Sequence, residues 1–255
     1  MAKKTNSRAK LDFQWGGISD KGKVRDGNED RWVVDEKLGL FIVSDGMGGH
    51  PAGEVAAELV VERLPHKIAQ GLEQIGQDDD KAVLKMLKEK IIELNDELVE
   101  EAANGNGSTG MGTTLAMAML DEGRVYVANA GDSRIYILRG GQMEMVSQEH
   151  SAAAETLGQQ WASIPVEMID PGLAGITRYI GMDAEPLRPY AAVEKFQAAD
   201  RLLLCSDGLT DMVGEELIEQ ILSGGDNCRT TAQKLVDEAN QAGGADNITV
   251  IVTEV

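Results

Sequence analysis

Two short apolar runs in this chain stop at the same three letters. Leu38-Gly39-Leu40-Phe41-Ile42-Val43 runs into Ser44-Asp45-Gly46, and Leu202-Leu203-Leu204-Cys205 runs into Ser206-Asp207-Gly208. Runs this short, bounded by turn residues, read as buried β-strands, with Asp-Gly marking where each one ends. Asp246 stands just before another apolar run, Asn247 to Val252, which reads as a closing strand. Asp132 lies in Gly131-Asp132-Ser133 between two further strand-like runs, a spacing that predicts a hairpin turn. In an antiparallel sheet the end of one strand and the start of the next share an edge. Four aspartates far apart in sequence can therefore meet at one rim.

Carboxylates that meet in this way raise one another's pKa and do not stay ionised together without a cation. Oxygen-only ligands select Mg²⁺ or Mn²⁺ over Zn²⁺. With three histidines and two cysteines in 255 residues, a Cys/His zinc site has too few ligands. The formal net charge of −19 argues against nucleic-acid or anionic-membrane partners, both of which need a basic face. No apolar run has the roughly 18 residues of a membrane span. The basic start, Met1 to Lys10, is followed by no apolar stretch, so it reads as a flexible tail. The two cysteines form no disulfide framework, Cys205 reads as a buried small hydrophobe, and a reducing cytoplasmic home is expected.

Strands cluster at both ends of the chain around two helical stretches. Pro51 to Leu64 has helical spacing. Asp78-Asp79-Asp80 reads as the N-terminus of a second helix, whose stripe is Val83, Leu84, Leu87, Ile91, Leu94 and Leu98. Thr113–Leu120, Arg124–Ala130 and Arg201–Cys205 read as strands, and Glu215–Leu222 and Thr230–Ala242 as helices. This order predicts an α+β fold with antiparallel sheets rather than alternating βαβ units. Gly105 to Gly110 has the letters G-x-G-x-x-G, but it follows a helix and precedes a strand, the reverse of a dinucleotide site.

Seven segments carry a family resemblance. Arg25-Asp26-Gly27-Asn28-Glu29-Asp30, Ser44 to His50, Gly112-Thr113-Thr114, Gly131-Asp132-Ser133-Arg134, Ile176-Thr177-Arg178, Ser206 to Asp211 and Asp246-Asn247-Ile248-Thr249 stand in the order of the metal-dependent protein phosphatases. The chain resembles the bacterial single-domain members of this type-2C serine/threonine family from about Phe13 to Val252. The resemblance implies a four-layer α-β-β-α sandwich with two central antiparallel sheets. It also implies one catalytic domain over residues 11–255, with a flap at about 152–175.

The resemblance further implies two tightly held Mn²⁺ or Mg²⁺ ions and a weaker third. Asp45 would bridge the pair, Gly46 would lend its carbonyl, and Asp207 and Asp246 would complete the site. Glu29 and Asp30 would act through waters, and Asp132 would help hold the third ion. A water shared by the two ions would attack the phosphate of phosphoserine or phosphothreonine. Arg25 is the candidate for gripping phosphate oxygens. His50 is the candidate general acid, because a serine or threonine alkoxide leaves poorly without a proton.

The implied partners are phosphorylated proteins, a serine/threonine kinase among them, met by a monomer. The alternative is a catalytically weak pseudophosphatase that serves as a binding module. One departure stands out: where the family commonly has Asp-His after the Gly-Asp-Ser-Arg segment, this chain has Glu149-His150.

Overall fold

The computed structural model describes residues 12–47, 52–75, 79–104, 110–158, 173 and 175–255. The tail at 1–10, His50, and residues 159–172 and 174 of the flap lie outside the described residues.

Two five-stranded antiparallel sheets face each other. The first contains β1 (Gln14–Asp20), β8 (Arg134–Arg139), β9 (Gln142–Met145), β11 (Arg201–Cys205) and β12 (Ile248–Glu254), in the order β1-β12-β11-β8-β9. The second contains β2 (Arg31–Asp35), β3 (Leu40–Ser44), β6 (Leu115–Asp121), β7 (Arg124–Ala130) and β10 (Tyr190–Lys195), in the order β10-β7-β6-β3-β2. Helices α1 (Ala52–Leu72) and α2 (Asp80–Ala103) cover the second sheet. The first is covered by α4 (Asp207–Thr210), α5 (Glu215–Leu222) and α6 (Cys228–Gln241). A short α3 (Ala152–Leu157) follows β9. The expected α-β-β-α layering is the one observed.

The central strands are apolar on both faces because each face meets another layer. In β3, Leu40 and Ile42 pack on the helices α1 and α2, while Phe41 and Val43 enter the space between the sheets. In β11, Leu203 and Cys205 face the helices, while Leu202 and Leu204 face the other sheet. Each fully buried leucine or isoleucine contributes roughly 1.5–3 kcal/mol of transfer free energy.

Helix α2 begins as its acidic start predicts, with the Asp79 carboxylate accepting the Ala82 N–H at 3.0 Å. Its buried stripe includes Val83, Leu87, Ile91, Leu94 and Leu98. Helix α1 runs past the expected end at Leu64, through Pro65, to Leu72. Proline forfeits one helical hydrogen bond, but Leu64, Ile68 and Leu72 are buried on the same side, and that packing carries the helix through.

The predicted hairpin at Gly131-Asp132-Ser133 is not one. Strand β7 pairs with β6 and β10, whereas β8 pairs with β9 and β11 in the opposite sheet. The turn is a crossing between layers. A tight turn between two strands has the same letters in either case, and only the pairing partners distinguish them.

The single strand expected over Thr113–Leu120 is also divided. β5 (Gly112–Thr113) pairs with β4 (Gly46–Met47), and Thr114 leaves the ladder before β6 begins. The mixed-burial edge strands β9 and β10 were not visible in the periodicity.

Candidate metal centre

The register brings the aspartates to one end of the sandwich. Cys205 at the end of β11 pairs with Val250 near the start of β12 and with Arg134 at the start of β8. In the other sheet Val43, near the end of β3, pairs with Ala116 near the start of β6, and Leu115 pairs with Ala130 at the end of β7. Asp207, Asp246, Asp132 and Asp45 therefore share a rim. A cleft of about 260 Å³ opens there, lined in part by Arg25, Glu29, Asp45, Gly46, Asp207 and Asp246.

Each carboxylate is held by its own local device. The Asp45 N–H donates to Thr114 Oγ1 at 3.0 Å, and its carbonyl accepts the Thr114 N–H at 2.8 Å and the Thr113 hydroxyl at 2.8 Å. Gly46 is pressed against the start of α1: a Cβ there would stand 2.4 Å from the Gly53 carbonyl carbon, so only glycine allows the approach. Asp30 accepts the Ser206 hydroxyl at 2.8 Å. The Glu29 N–H donates to Asn247 Oδ1 at 2.8 Å. Arg25 Nη2 donates to Asp246 Oδ2 at 2.6 Å, although more than half of the arginine side chain is exposed.

The electrostatics are those of crowded anions. Burial raises Asp45 well above the carboxylate range, and Asp30, Asp207 and Asp132 raise it further. Burial likewise raises Asp207, helped by Asp132, Asp211 and Asp246. Asp30 and Asp132 are each pushed up to about 6, chiefly by burial. Asp30 Oδ1, Asp132 Oδ1 and Asp207 Oδ1 are buried without a hydrogen-bond partner. Buried anionic oxygens without donors fit a hard divalent cation, and the set contains no soft ligand. Among the described residues no three such groups already form a cage around one point. The fit is therefore one of donor chemistry and burial at a shared rim.

Residues 21–238 match the model of the family described as Protein phosphatase 2C. This chain belongs to that family. It is 36% identical over 239 residues to the serine/threonine phosphatase stp of Listeria innocua, covering 92% of this chain and 93% of that protein. The crystal structure of the Mycobacterium tuberculosis serine/threonine phosphatase PstP superimposes with a TM-score of 0.81 at 31% identity, covering 96% of this chain and 99% of that one. A structure of the PstP catalytic domain in complex with two manganese ions matches with a TM-score of 0.78 at 30% identity, covering 95% and 97%. The chain is thus a metal-dependent protein phosphatase.

In this phosphatase 2C chain, three residues near the rim have no role assigned by the sequence motifs. Asp211 closes the single turn of α4 four residues after Asp207, with its N–H on the Asp207 carbonyl at 2.8 Å. Its own carboxyl is raised by burial. The i,i+4 spacing was the available signal. Glu149, pushed up to about 7 by burial, pairs with Arg134 at 3.1 Å. His150 Nδ1 accepts the Gly131 N–H at 3.2 Å, and the Gly131 carbonyl accepts the His150 N–H at 3.1 Å. Two reciprocal bonds thus clamp the crossing that carries Asp132. No helix among the described residues is long and apolar enough to cross a membrane.

Proposed function

We propose that Asp45, the Gly46 carbonyl, Asp207 and Asp246 hold the two divalent cations with which this serine/threonine protein phosphatase hydrolyses phosphoserine and phosphothreonine. The observation that carries the assignment is that Asp45, Gly46, Asp207 and Asp246 line one cleft, where Asp207 Oδ1 is buried without a hydrogen-bond partner and the carboxylates crowd one another. Bound divalent cations supply charge neutralisation and an acidified water nucleophile. The chain's own residues do the rest. Arg25, exposed at the mouth of the cleft and aimed at its acidic wall, takes phosphate oxygens through its planar fork. Glu29 and Asp30, fixed by Asn247 and Ser206, orient waters around the ions.

His50, three positions in sequence after the cleft-lining Met47, delivers a proton to the leaving serine or threonine oxygen. Asp132, with Asp211 beside it, holds a weaker third ion. Mn²⁺ and Mg²⁺ both suit an all-oxygen set. The substrates include a serine/threonine kinase whose signalling the enzyme reverses, and the enzyme acts as a cytoplasmic monomer built as one catalytic domain.

The test incubates the protein with Mn²⁺ and a phosphothreonine peptide, with and without chelator, beside Asp207→Ala. Phosphate release that needs the metal and vanishes in the variant is expected. Release that survives the substitution undiminished overturns the assignment.

A further inference from the structure

The segment Lys21-Gly22-Lys23-Val24-Arg25 forms a ridge beside the catalytic cleft, and it is fastened far more tightly than its exposure requires. Asn247 Nδ2 donates to the Lys21 carbonyl at 2.9 Å and to the Gly27 carbonyl at 2.8 Å. The Lys23 N–H donates to the Gly244 carbonyl at 2.8 Å. Gly22 has φ +75°, and a Cβ there would stand 2.2 Å from the Asp246 carbonyl oxygen, so the turn lies directly on the cleft-lining segment.

What this rigid base presents to solvent is unusual for a chain of net charge −19. Lys21 and Lys23 are exposed and make no ion pair among the described residues. Val24 between them and Arg25 is 68% exposed, the largest value among the exposed large hydrophobic side chains of the described residues. Asp20 turns inward, accepting the Gly22 N–H and the Asn240 amide, which leaves Asp26 as the ridge's exposed acid.

We propose that Lys21, Lys23 and Val24 form a substrate-docking ridge. The two ammonium groups bind acidic side chains flanking the phosphorylated residue, and Val24 packs on the adjacent peptide stem. Charge complementarity selects this occupant: the rest of the chain repels acidic segments, and the ridge meets them beside the phosphate site. Exposed charge pairs at a rim are weak singly but act together on encounter and orientation. The proposal rests on the phosphatase reading given above and names the sequence class it prefers.

The experiment compares kcat/KM for two phosphothreonine peptides, one with glutamates and one with glutamines flanking the phosphoresidue, and for an aryl phosphate. Wild type is expected to favour the acidic peptide about three- to tenfold at low salt, with the preference shrinking as salt screens it. Lys21→Gln/Lys23→Gln should erase that ratio and lower the aryl phosphate much less than the acidic peptide. Val24→Ser should lower both peptides equally and spare the aryl phosphate. Equal use of the two peptides by active wild type, or equal loss on all three substrates in the double variant, overturns the ridge alone. No hydrolysis of either peptide by wild type with Mn²⁺ overturns the phosphatase reading itself.

Discussion

Asp45 and Thr114 hold each other twice: the Asp45 N–H donates to Thr114 Oγ1 at 3.0 Å, and the Thr114 N–H donates to the Asp45 carbonyl at 2.8 Å. The same Thr114 hydroxyl lies 2.6 Å from Ser133 Oγ, beside Asp132. One buried threonine therefore couples the carboxylate on the second sheet to the crossing that leads into the first. Thr114→Val keeps the shape, removes the hydroxyl and leaves the half-buried Asp45 N–H without its acceptor. It should cost about 1–3 kcal/mol in urea unfolding and lower Mn²⁺-supported turnover, while Thr114→Ser keeps both. An unchanged unfolding midpoint in Thr114→Val would show that the coupling is idle.

The crowded carboxylates make metal removal and charge removal act in opposite directions. Burial, then Asp132, Asp211 and Asp246, raise Asp207, so its ionised form opposes folding in chelated protein at neutral pH. Asp207→Asn should therefore melt higher than wild type in chelator. With Mn²⁺ the order should reverse, because only wild type gains the full binding energy, and peptide turnover should fall about 100-fold or more. Calorimetry in both buffers checks the crossing, and a variant that melts lower than wild type in chelator would contradict it.

His150 should impose an acid limit on stability. Burial, with Arg178 adding to it, lowers the imidazole from the ordinary 6.5 to about 4. Protonation of Nδ1 would also break its bond from the Gly131 N–H. The unfolded chain binds the proton more readily, so this contribution is complete above pH 6.5 and drains away as pH falls toward 4. It is worth on the order of 3 kcal/mol at most. Asp30 and Asp132, raised to about 6, act in the opposite sense in metal-free protein, since their folded forms gain protons first as pH falls. The informative quantity is therefore a difference between proteins. His150→Gln keeps an acceptor without a titrating proton, and its unfolding midpoint should decline less than that of wild type between pH 6.5 and 4. Parallel curves would remove His150 as the cause.

Asn247 fastens the ridge and Glu29 with three hydrogen bonds from one nearly buried amide. Asn247→Ala leaves the Lys21 and Gly27 carbonyls and the Glu29 N–H without that partner. About 1–3 kcal/mol of stability should be lost, with KM for a phosphopeptide rising as the segment bearing Arg25 loosens. Hydrogen exchange confined to residues 21–29 would locate the change; unaltered exchange there would refute the fastening role.

Much of the architecture was legible because local chemistry repeats it. Asp79 caps α2 because a carboxylate before an apolar stripe has free N–H groups to meet. β3 ends at Ser44 and β11 at Cys205, just ahead of Asp45 and Asp207, because Ser-Asp-Gly stops an apolar strand in both places. Those same strands hid their neighbours. A strand apolar on both faces has no alternation to tell which face meets which layer, and backbone pairing does not depend on side-chain identity.

The sequence by itself determined that several aspartates stand at strand ends, and that their company is oxygen-rich, acidic and free of soft metal ligands. The tertiary structure decided that β7 and β8 belong to opposite sheets, that Thr114 leaves its ladder to grip Asp45, and that Asp211 and His150 join the rim. Those outcomes depend on contacts between residues distant in the chain, where the free energy of packing two layers outweighs any preference a short segment carries alone.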